Sequence, residues 1–323
     1  LYKVFLTEPI HPDGIKLLES VAEVVRGTAA EAQTIVKEAQ DCDAMLVRSA
    51  YVTSEMMAAL PKLKIVAKHG IGVDNIDVEA ATQYGIMVVN APEANINAVA
   101  EHAFALIMAL SKNLLFLDRK LRNGDFRARN QYPCTEINGK VIGLVGLGRI
   151  SKLLAAKIKS LNVRVIAYDP FISEESRVFA SSERIELVET LDDVLTRSDI
   201  VSIHVPLTND TRGMFGKAAL SKMKSESYLI NVARGHIVDE DALYEALKNQ
   251  QIKGAALDVF AEEPPAQDHP LFQLDNIIVS PHNAALTHEA LCAMATHSAQ
   301  GIVDFLSDTE PKNIVNRKVL KTT

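Results

Sequence analysis

The sequence predicts an α/β protein of two doubly wound parallel sheets, the second inserted into the first. Three observations carry this. Short strands and helices alternate in both halves of the chain, a strand breaks into a glycine turn that opens a helix at 146–148, and an apolar stretch at 313–316 follows the last helix. Parallel neighbours need helical crossovers, so a repeated βα rhythm reads as an open parallel sheet. At 323 residues, and about 100–200 per domain, two domains with real cores are expected.

In the first ninety residues, apolar runs at 2–7, 22–26, 44–48, 64–67 and 87–90 read as strands. Segments 14–20, 29–39, 54–60 and 78–84 have helical composition, with Thr53 or Ser54 as a cap. Residues 98–121 read as one long apolar helix that stops at Asn123-Gly124 and is buried between domains or subunits. A second series follows, with strands at 140–145, 163–168, 184–187, 200–205, 228–232, 255–259 and 276–280 and a helix over 149–161. A last helix spans 287–306, and the tail at 313–316 is apolar enough to return to the first sheet, which makes the first domain discontinuous.

Composition narrows the function. A net charge of −7 and a pI near 5.8 supply no basic field for nucleic acid or anionic lipid, so an anionic substrate would need local cations. Cys42, Cys134 and Cys292 lie far apart without a CxxC pair, which points to a reducing compartment. The nine histidines show no metal-ligand spacing, so no metal is expected. The apolar stretch 103–110 is too short to span a bilayer and no signal-peptide pattern opens the chain; a cytoplasmic protein without a membrane partner is expected.

The strand and turn at 141–151 read VIGLVGLGRIS. Gly146 permits a tight turn, Gly148 lets backbone approach a pyrophosphate, and the phosphates would rest on the unpaired N–H groups at the start of the next helix. The third position of this fingerprint is Ser151, where glycine or alanine allows close packing. A second strand ends at Asp169, about 20 residues on, where a carboxylate suits ribose hydroxyls and repels the extra phosphate of NADP. NAD is the expected cofactor, against the alternative that Asp169 only starts a turn at Pro170.

Three later strand ends finish with polar groups beside Gly or Pro: NVARG at 231–235, LDVFAEEP at 257–264 and VSPH at 279–282. With HVPLTNDT at 204–211, NVARGHIVDEDAL at 231–243, ALDVFAEEPP at 256–265 and SPHNA at 280–284, the chain resembles the D-isomer-specific 2-hydroxyacid dehydrogenase family over essentially its whole length. The resemblance implies a Rossmann NAD domain, 98–286, inserted into a discontinuous flavodoxin-like substrate domain, 1–97 plus 287–323. It also implies a catalytic set of Arg234, Glu263 and His282. Arg234 offers a planar fork for the substrate carboxylate, His282 is a general base, and Glu263, placed directly before Pro264, would orient the imidazole; Glu262 is the lesser choice. Taken singly, Arg234 is more often a solvated turn residue, Glu263 one of two surface acids before a proline and His282 a loop histidine; it is the joint arrangement that points to catalysis. Cofactor contacts are implied for Arg149, Ile150, Val205, Pro206, Val232, Ala233, Asp258, His282 and Ala285, with Asp258 read either at the nicotinamide amide or as a cap of its own strand. Ser151 and Asn283-Ala284 depart from the family pattern and put loop geometry in question.

Loops after the first-domain strands supply the remaining substrate contacts: Arg48, Lys68, Gly70, Ile71, Gly72 and Asn95, beside Arg234. VRSA, GVDNID and YDPFIS look most like 3-phosphoglycerate dehydrogenases, whose phosphate is held by basic residues; Arg48 and Lys68 stand at matching positions, and Arg129 is a weaker candidate. The expected reaction is therefore 3-phosphoglycerate to phosphohydroxypyruvate with NAD, as in serine biosynthesis. Because the sequence ends at Thr323, a short form without a regulatory domain is expected. The alternatives are a dehydrogenase for lactate-, glycerate- or glyoxylate-type acids, and an NAD-sensing protein of the corepressor kind. A homodimer through the apolar helix 98–110 is expected by analogy.

Overall fold

β-branched runs bounded by turn residues form strands where burial on both faces is available, and that is how both halves of this chain fold. The computed structural model describes residues 1–321. In chain order the elements are β1 (Tyr2–Leu6), α1 (Pro12–Glu19), β2 (Ala22–Arg26), α2 (Ala32–Glu38), β3 (Ala44–Val47), α3 (Ser54–Ala58), β4 (Ile65–Lys68), α4 (Val78–Gln83) and β5 (Met87–Val89). Then come α5 (Ile96–Ser111), α6 (Leu114–Arg122), α7 (Ala128–Gln131), β6 (Val141–Val145), α8 (Arg149–Ile158), β7 (Arg164–Tyr168), α9 (Glu174–Glu183), β8 (Glu186–Leu187), α10 (Leu191–Arg197) and β9 (Ile200–Ile203). The chain closes with α11 (Lys217–Leu220), β10 (Tyr228–Asn231), α12 (Glu240–Lys248), β11 (Gly254–Leu257), β12 (Ile277–Val279) and α13 (His288–Leu306).

Two compact units result: Leu1–Ile96 with Ala285–Thr323, and Asn97–Ala284. Residues 322 and 323, the end of the segment expected in the first domain, lie outside the described residues. The first unit holds a five-stranded parallel sheet in the order β2-β1-β3-β4-β5, the flavodoxin-like order. Its side chains alternate between two cores. Phe5, Met45, Val47, Val66 and Val88 pack on one face with Ile35 of α2, Met56 and Met57 of α3, and Ala80 and Ala81 of α4. Val4, Leu6, Leu46, Ile65, Ala67 and Val89 pack on the other with Leu18 of α1 and Ala299, Ile302 and Leu306 of α13. Each buried Val, Leu, Ile, Met or Phe among them contributes about 1.5–3 kcal/mol. α1 and α13 touch closely because Gly14 has no side chain; a Cβ there would lie 2.8 Å from Ala295 Cβ.

The tail returns to this sheet, as its apolar composition predicts. Ile314 bridges Val89 antiparallel and Val315 N–H donates to Val88 O at 2.8 Å. Asn316 then stands in for a strand: its Oδ1 accepts from Val88 N at 2.8 Å and its Nδ2 donates to Ile86 O at 2.9 Å.

The second unit holds a seven-stranded parallel sheet, β12-β11-β10-β9-β6-β7-β8, the Rossmann order with one added strand. Strand order reverses between β6 and β9, and the carboxyl edge at such a switch point is where ligands bind. The expected single helix over 98–121 is instead α5 and α6, bent by 57°. Asn113 adopts φ 47°, a left-handed conformation that asparagine tolerates. The segment after α7 makes the break tolerable, since Thr135 N–H donates to Ser111 O at 2.7 Å and Asn113 Nδ2 to Pro133 O at 3.4 Å. α5 buries Ala103, Leu106, Ile107 and Leu110, whereas α6 buries nothing and exposes Leu114, Leu115 and Leu121. Among the described residues no single helix is long and apolar enough to cross a membrane.

Candidate active site

Register gathers the chemistry of the second unit on one edge. Tyr168 pairs with Val145, Val145 with Ile203, Ile203 with Asn231, Asn231 with Leu257, and Leu257 with Val279, so these strand ends form a single row. Whatever follows each end shares that edge: the glycine turn, Asp169, Val205 with Pro206, Val232 to Arg234, Asp258, and His282.

At the glycine turn, Gly146 has φ 93°, and a Cβ there would meet His204 O at 2.9 Å. Gly148 caps α8 with no side-chain bond and nothing within 4 Å of where a Cβ would stand. The first N–H groups of α8, those of Arg149 and Ile150, have no carbonyl one turn back within the helix and no side-chain cap at Gly148, as an anion site at a helix start requires. Ser151 is fully buried and its hydroxyl donates to Gly148 O at 3.1 Å, so the serine fits where glycine or alanine is usual. Asp169 accepts from Leu147 N and from Phe171 N, each at 2.9 Å, one on each carboxylate oxygen. The carboxylate is thus both turn former and turn neighbour, with a second lone pair on each oxygen for ribose hydroxyls. The open space over Gly148, the uncapped helix and the adjacent acid fit a dinucleotide. His204, beside this turn, bonds Ser202 Oγ through Nε2 at 2.8 Å, and burial pushes its pKa down to about 4.

At the other strand ends, His282 Nδ1 and Glu263 Oε2 are 2.6 Å apart, while Glu263 Oε1 accepts from Phe260 N at 3.0 Å. Burial alone would raise the Glu263 pKa; the His282 hydrogen bond, the Phe260 amide and the charge of Arg234 outweigh it and hold the carboxyl below its usual range. With Nδ1 tied to the acid, Nε2 is the nitrogen left for a substrate, and the imidazole is 49% exposed. Arg234 leaves the β10 turn in an extended conformation and donates to Ala233 O at 2.7 Å. Asn231 shapes that turn, its Oδ1 accepting from Ala233 N at 3.0 Å and its Nδ2 donating to Arg234 O at 2.9 Å. Gly235 is required beneath it, because any Cβ would collide with the Phe260 backbone.

Asp258 is wholly buried. Its Oδ1 accepts from Ser280 Oγ at 2.6 Å and Asn283 N at 3.0 Å, its Oδ2 from Ala284 N at 2.9 Å, and its carbonyl from His282 N at 2.8 Å. The carboxylate therefore braces the loop that carries His282, whose φ of 49° is left-handed. Capping its own strand, the alternative reading of this residue, falls short of that job.

In the first unit the expected substrate residues cluster after β3 and β4. Glu8, a residue that sequence reasoning passed over, organises them: it accepts from Arg48 N at 3.0 Å, Ser49 N at 2.7 Å and Ala50 N at 2.9 Å. Burial works against its charge, but hydrogen bonds from Ser49, Thr7 and Arg48 prevail and bring its pKa down to about 2. Arg48 Nη1 donates to Pro9 O at 2.8 Å, and Lys68 Nζ reaches Arg48 O at 2.5 Å and Asn75 Oδ1 at 2.6 Å. Gly70 has φ 140° and its carbonyl accepts from Ala91 N; Ile71 O accepts from Asn90 Nδ2 at 2.8 Å, and Gly72 is half-buried in the same loop. Asn95 contacts Met294 Sδ at 3.7 Å, with its Oδ1 buried and unpaired among the described residues. His69 between them is buried, which lowers its pKa to about 4. Arg129 belongs to the second unit, stacked 5.0 Å over the Phe126 ring, and Ala285 opens the segment that returns to the first unit. Spacing had suggested no metal site, yet folding brings potential ligand atoms of His11, Asp13 and Cys292 within 4.8 Å of one another.

Residues 104–284 match the family model described as D-isomer specific 2-hydroxyacid dehydrogenase, NAD binding domain. The chain is 41% identical over 317 residues to D-3-phosphoglycerate dehydrogenase of Methanocaldococcus jannaschii, covering 98% of this chain and 60% of that protein. It is 36% identical to glyoxylate reductase of Korarchaeum cryptofilum, covering 99% of this chain and 97% of that one. Among solved structures, an NADPH-dependent glyoxylate/hydroxypyruvate reductase of Sinorhizobium meliloti in complex with NADP and malonate superposes with a TM-score of 0.87 at 28% identity, over 98% of this chain and 97% of that one. The chain thus spans about 60% of the length of the phosphoglycerate dehydrogenases it matches first.

Proposed function

The chain belongs to the D-isomer specific 2-hydroxyacid dehydrogenase family, and from that premise we propose that it interconverts a D-2-hydroxy acid and its 2-keto acid with NAD(H), 3-phosphoglycerate and phosphohydroxypyruvate being the preferred pair. The observation that carries the reading is the 2.6 Å His282–Glu263 contact on the same sheet edge as the glycine turn. NAD, when bound, supplies the acceptor for the hydride that leaves C2. Arg234 holds the substrate carboxylate by its fork. His282 Nε2 takes the hydroxyl proton, and Glu263, ionised and fixed by Phe260 N–H, keeps Nδ1 protonated and stabilises the imidazolium that results. In the reverse direction the same imidazolium returns the proton to the carbonyl oxygen. Asp169 favours NAD over NADP by charge.

A non-phosphorylated 2-keto acid is the second reading. It is favoured by the Korarchaeum relative matched over nearly its full length, and by the engagement of Lys68 with Arg48 O and Asn75. A homodimer is part of the proposal, through the exposed apolar residues Leu114, Leu115, Leu121 and Phe126 rather than through the buried face of α5. A cytoplasmic location agrees with the three unpaired cysteines. The test is NADH consumption with phosphohydroxypyruvate, glyoxylate and pyruvate in parallel: turnover strongest with the first supports the primary reading, strongest with glyoxylate the second, and none with any sinks both.

A further inference from the structure

Behind His282 lies a half-buried hydrogen-bond chain that the proposed chemistry does not use and that ends on the buried Asp258. His102, on α5, places Nε2 3.1 Å from Ser280 Oγ and 3.5 Å from Asp258 Oδ1. Ser280 Oγ in turn donates to Asp258 Oδ1 at 2.6 Å. The donor order follows from valence. A carboxylate only accepts, so the one serine proton goes to Asp258, and the Ser280 oxygen must then receive the N–H of His102 Nε2. Asp258 is 1% exposed and also collects the N–H groups of Asn283 and Ala284, the two residues that follow His282. The peptide N–H of His282 itself lands on Asp258 O and Ser280 O, at 2.8 and 3.0 Å. That convergence keeps a residue with a Cβ in the left-handed region, at φ 49°, where it would not otherwise settle.

We propose that His102 and Ser280 are positioning residues for the reaction: the chain His102 Nε2–H to Ser280 Oγ–H to Asp258 locks the 280–284 loop so that the His282 ring meets both Glu263 and the substrate. This rests on the dehydrogenase reading above. Without the His102 donor the Ser280 oxygen loses the partner that fixes its rotamer and its 2.6 Å bond to Asp258 Oδ1 is weakened, without Ser280 Oγ that bond is lost outright, and in both cases the loop relaxes out of the left-handed turn. Small displacements of a general base are costly in rate, about a hundredfold for roughly 1 Å.

The test compares His102→Leu, which fills the space but cannot donate, His102→Gln, whose amide can donate to Ser280, and Ser280→Ala. The expected result is a kcat lowered by about ten- to a hundredfold in His102→Leu and Ser280→Ala. KM for the keto acid and Kd for NADH should stay near wild type, and His102→Gln should recover most of the rate. Side-chain NMR of His282, assigned with His282→Gln, should show its ring signals shifted in the first two variants and restored in the third. An unchanged His282 signal overturns the proposal whether or not the wild type turns over any keto acid, and so does an unchanged kcat in an active enzyme. An inactive wild type with the predicted signal shifts would overturn only the dehydrogenase reading. Should His102→Leu fail to fold, Ser280→Ala carries the same comparison.

Discussion

Replacing Glu263 by glutamine asks whether charge or shape makes the acid useful. Both carboxylate oxygens accept: Oε1 from Phe260 N at 3.0 Å and Oε2 from His282 Nδ1 at 2.6 Å. A glutamine has one acceptor oxygen, so it can serve only one of the two. If the oxygen faces Phe260, the amide NH2 faces His282 and forces Nδ1 to accept, which puts the proton on Nε2 and leaves no base. If it faces His282, the orientation survives but the charge partner of the imidazolium is lost. Two unit charges about 4 Å apart at an effective dielectric of about 20 attract by about 4 kcal/mol. Halving this, because the two side chains are 49% and 36% exposed, leaves about 2 kcal/mol. That is a floor of about thirty-fold in kcat, rising toward about a thousandfold as the wrong tautomer becomes populated. The assay is steady-state NADH consumption, with NADH affinity followed by fluorescence and folding by thermal melting. A glutamine variant with wild-type kcat and intact folding would refute the electrostatic role of Glu263.

Three further outcomes are expected. Asp169→Ala should raise the kcat/KM ratio of NADPH to NADH by roughly a hundredfold, since a carboxylate beside the Leu147 amide would no longer repel the added phosphate; an unchanged ratio removes Asp169 from the ribose. Arg48→Ala should weaken phosphohydroxypyruvate at least about tenfold more than pyruvate, as loss of a charge-assisted bond would, and equal effects on both count against a phosphate contact. Acid should destabilise the fold through His69 and His204, whose folded pKa values near 4 lie below the ordinary 6.5. The unfolded chain then binds more protons between pH 6.5 and 4, so stability is full above that window and falls on entering it. At pH 5 each histidine costs about 2 kcal/mol relative to neutral pH, and equal urea midpoints at pH 7 and 5 would contradict this.

Much of this molecule was legible in its sequence because its strands are β-branched and two-sided. β1 to β5 begin and end within about a residue of the apolar runs, and Asn316 docks where the tail composition pointed. The convergence of the candidate site residues was legible where they sit at strand ends, since parallel topology sends every such end to one edge. The break at Asn113 was not, because an apolar pattern continues on both sides of it; the signal lay in the polar pair Lys112-Asn113. Contacts between distant residues were also out of reach. Glu8 meets Ser49 across 41 positions and His102 meets Ser280 across 178, and no local period encodes either. Asp258 shows the same limit: its place at a strand end is local, whereas its hold on the His282 loop is a matter of folding.

Whether His282 is the base is decided by comparing wild type and His282→Gln with NADH and phosphohydroxypyruvate in one experiment. The wild type is expected to turn over, the variant to show a kcat lower by about two to four orders of magnitude, and NADH binding to be little changed between the two. Equal turnover by the two proteins would contradict that role.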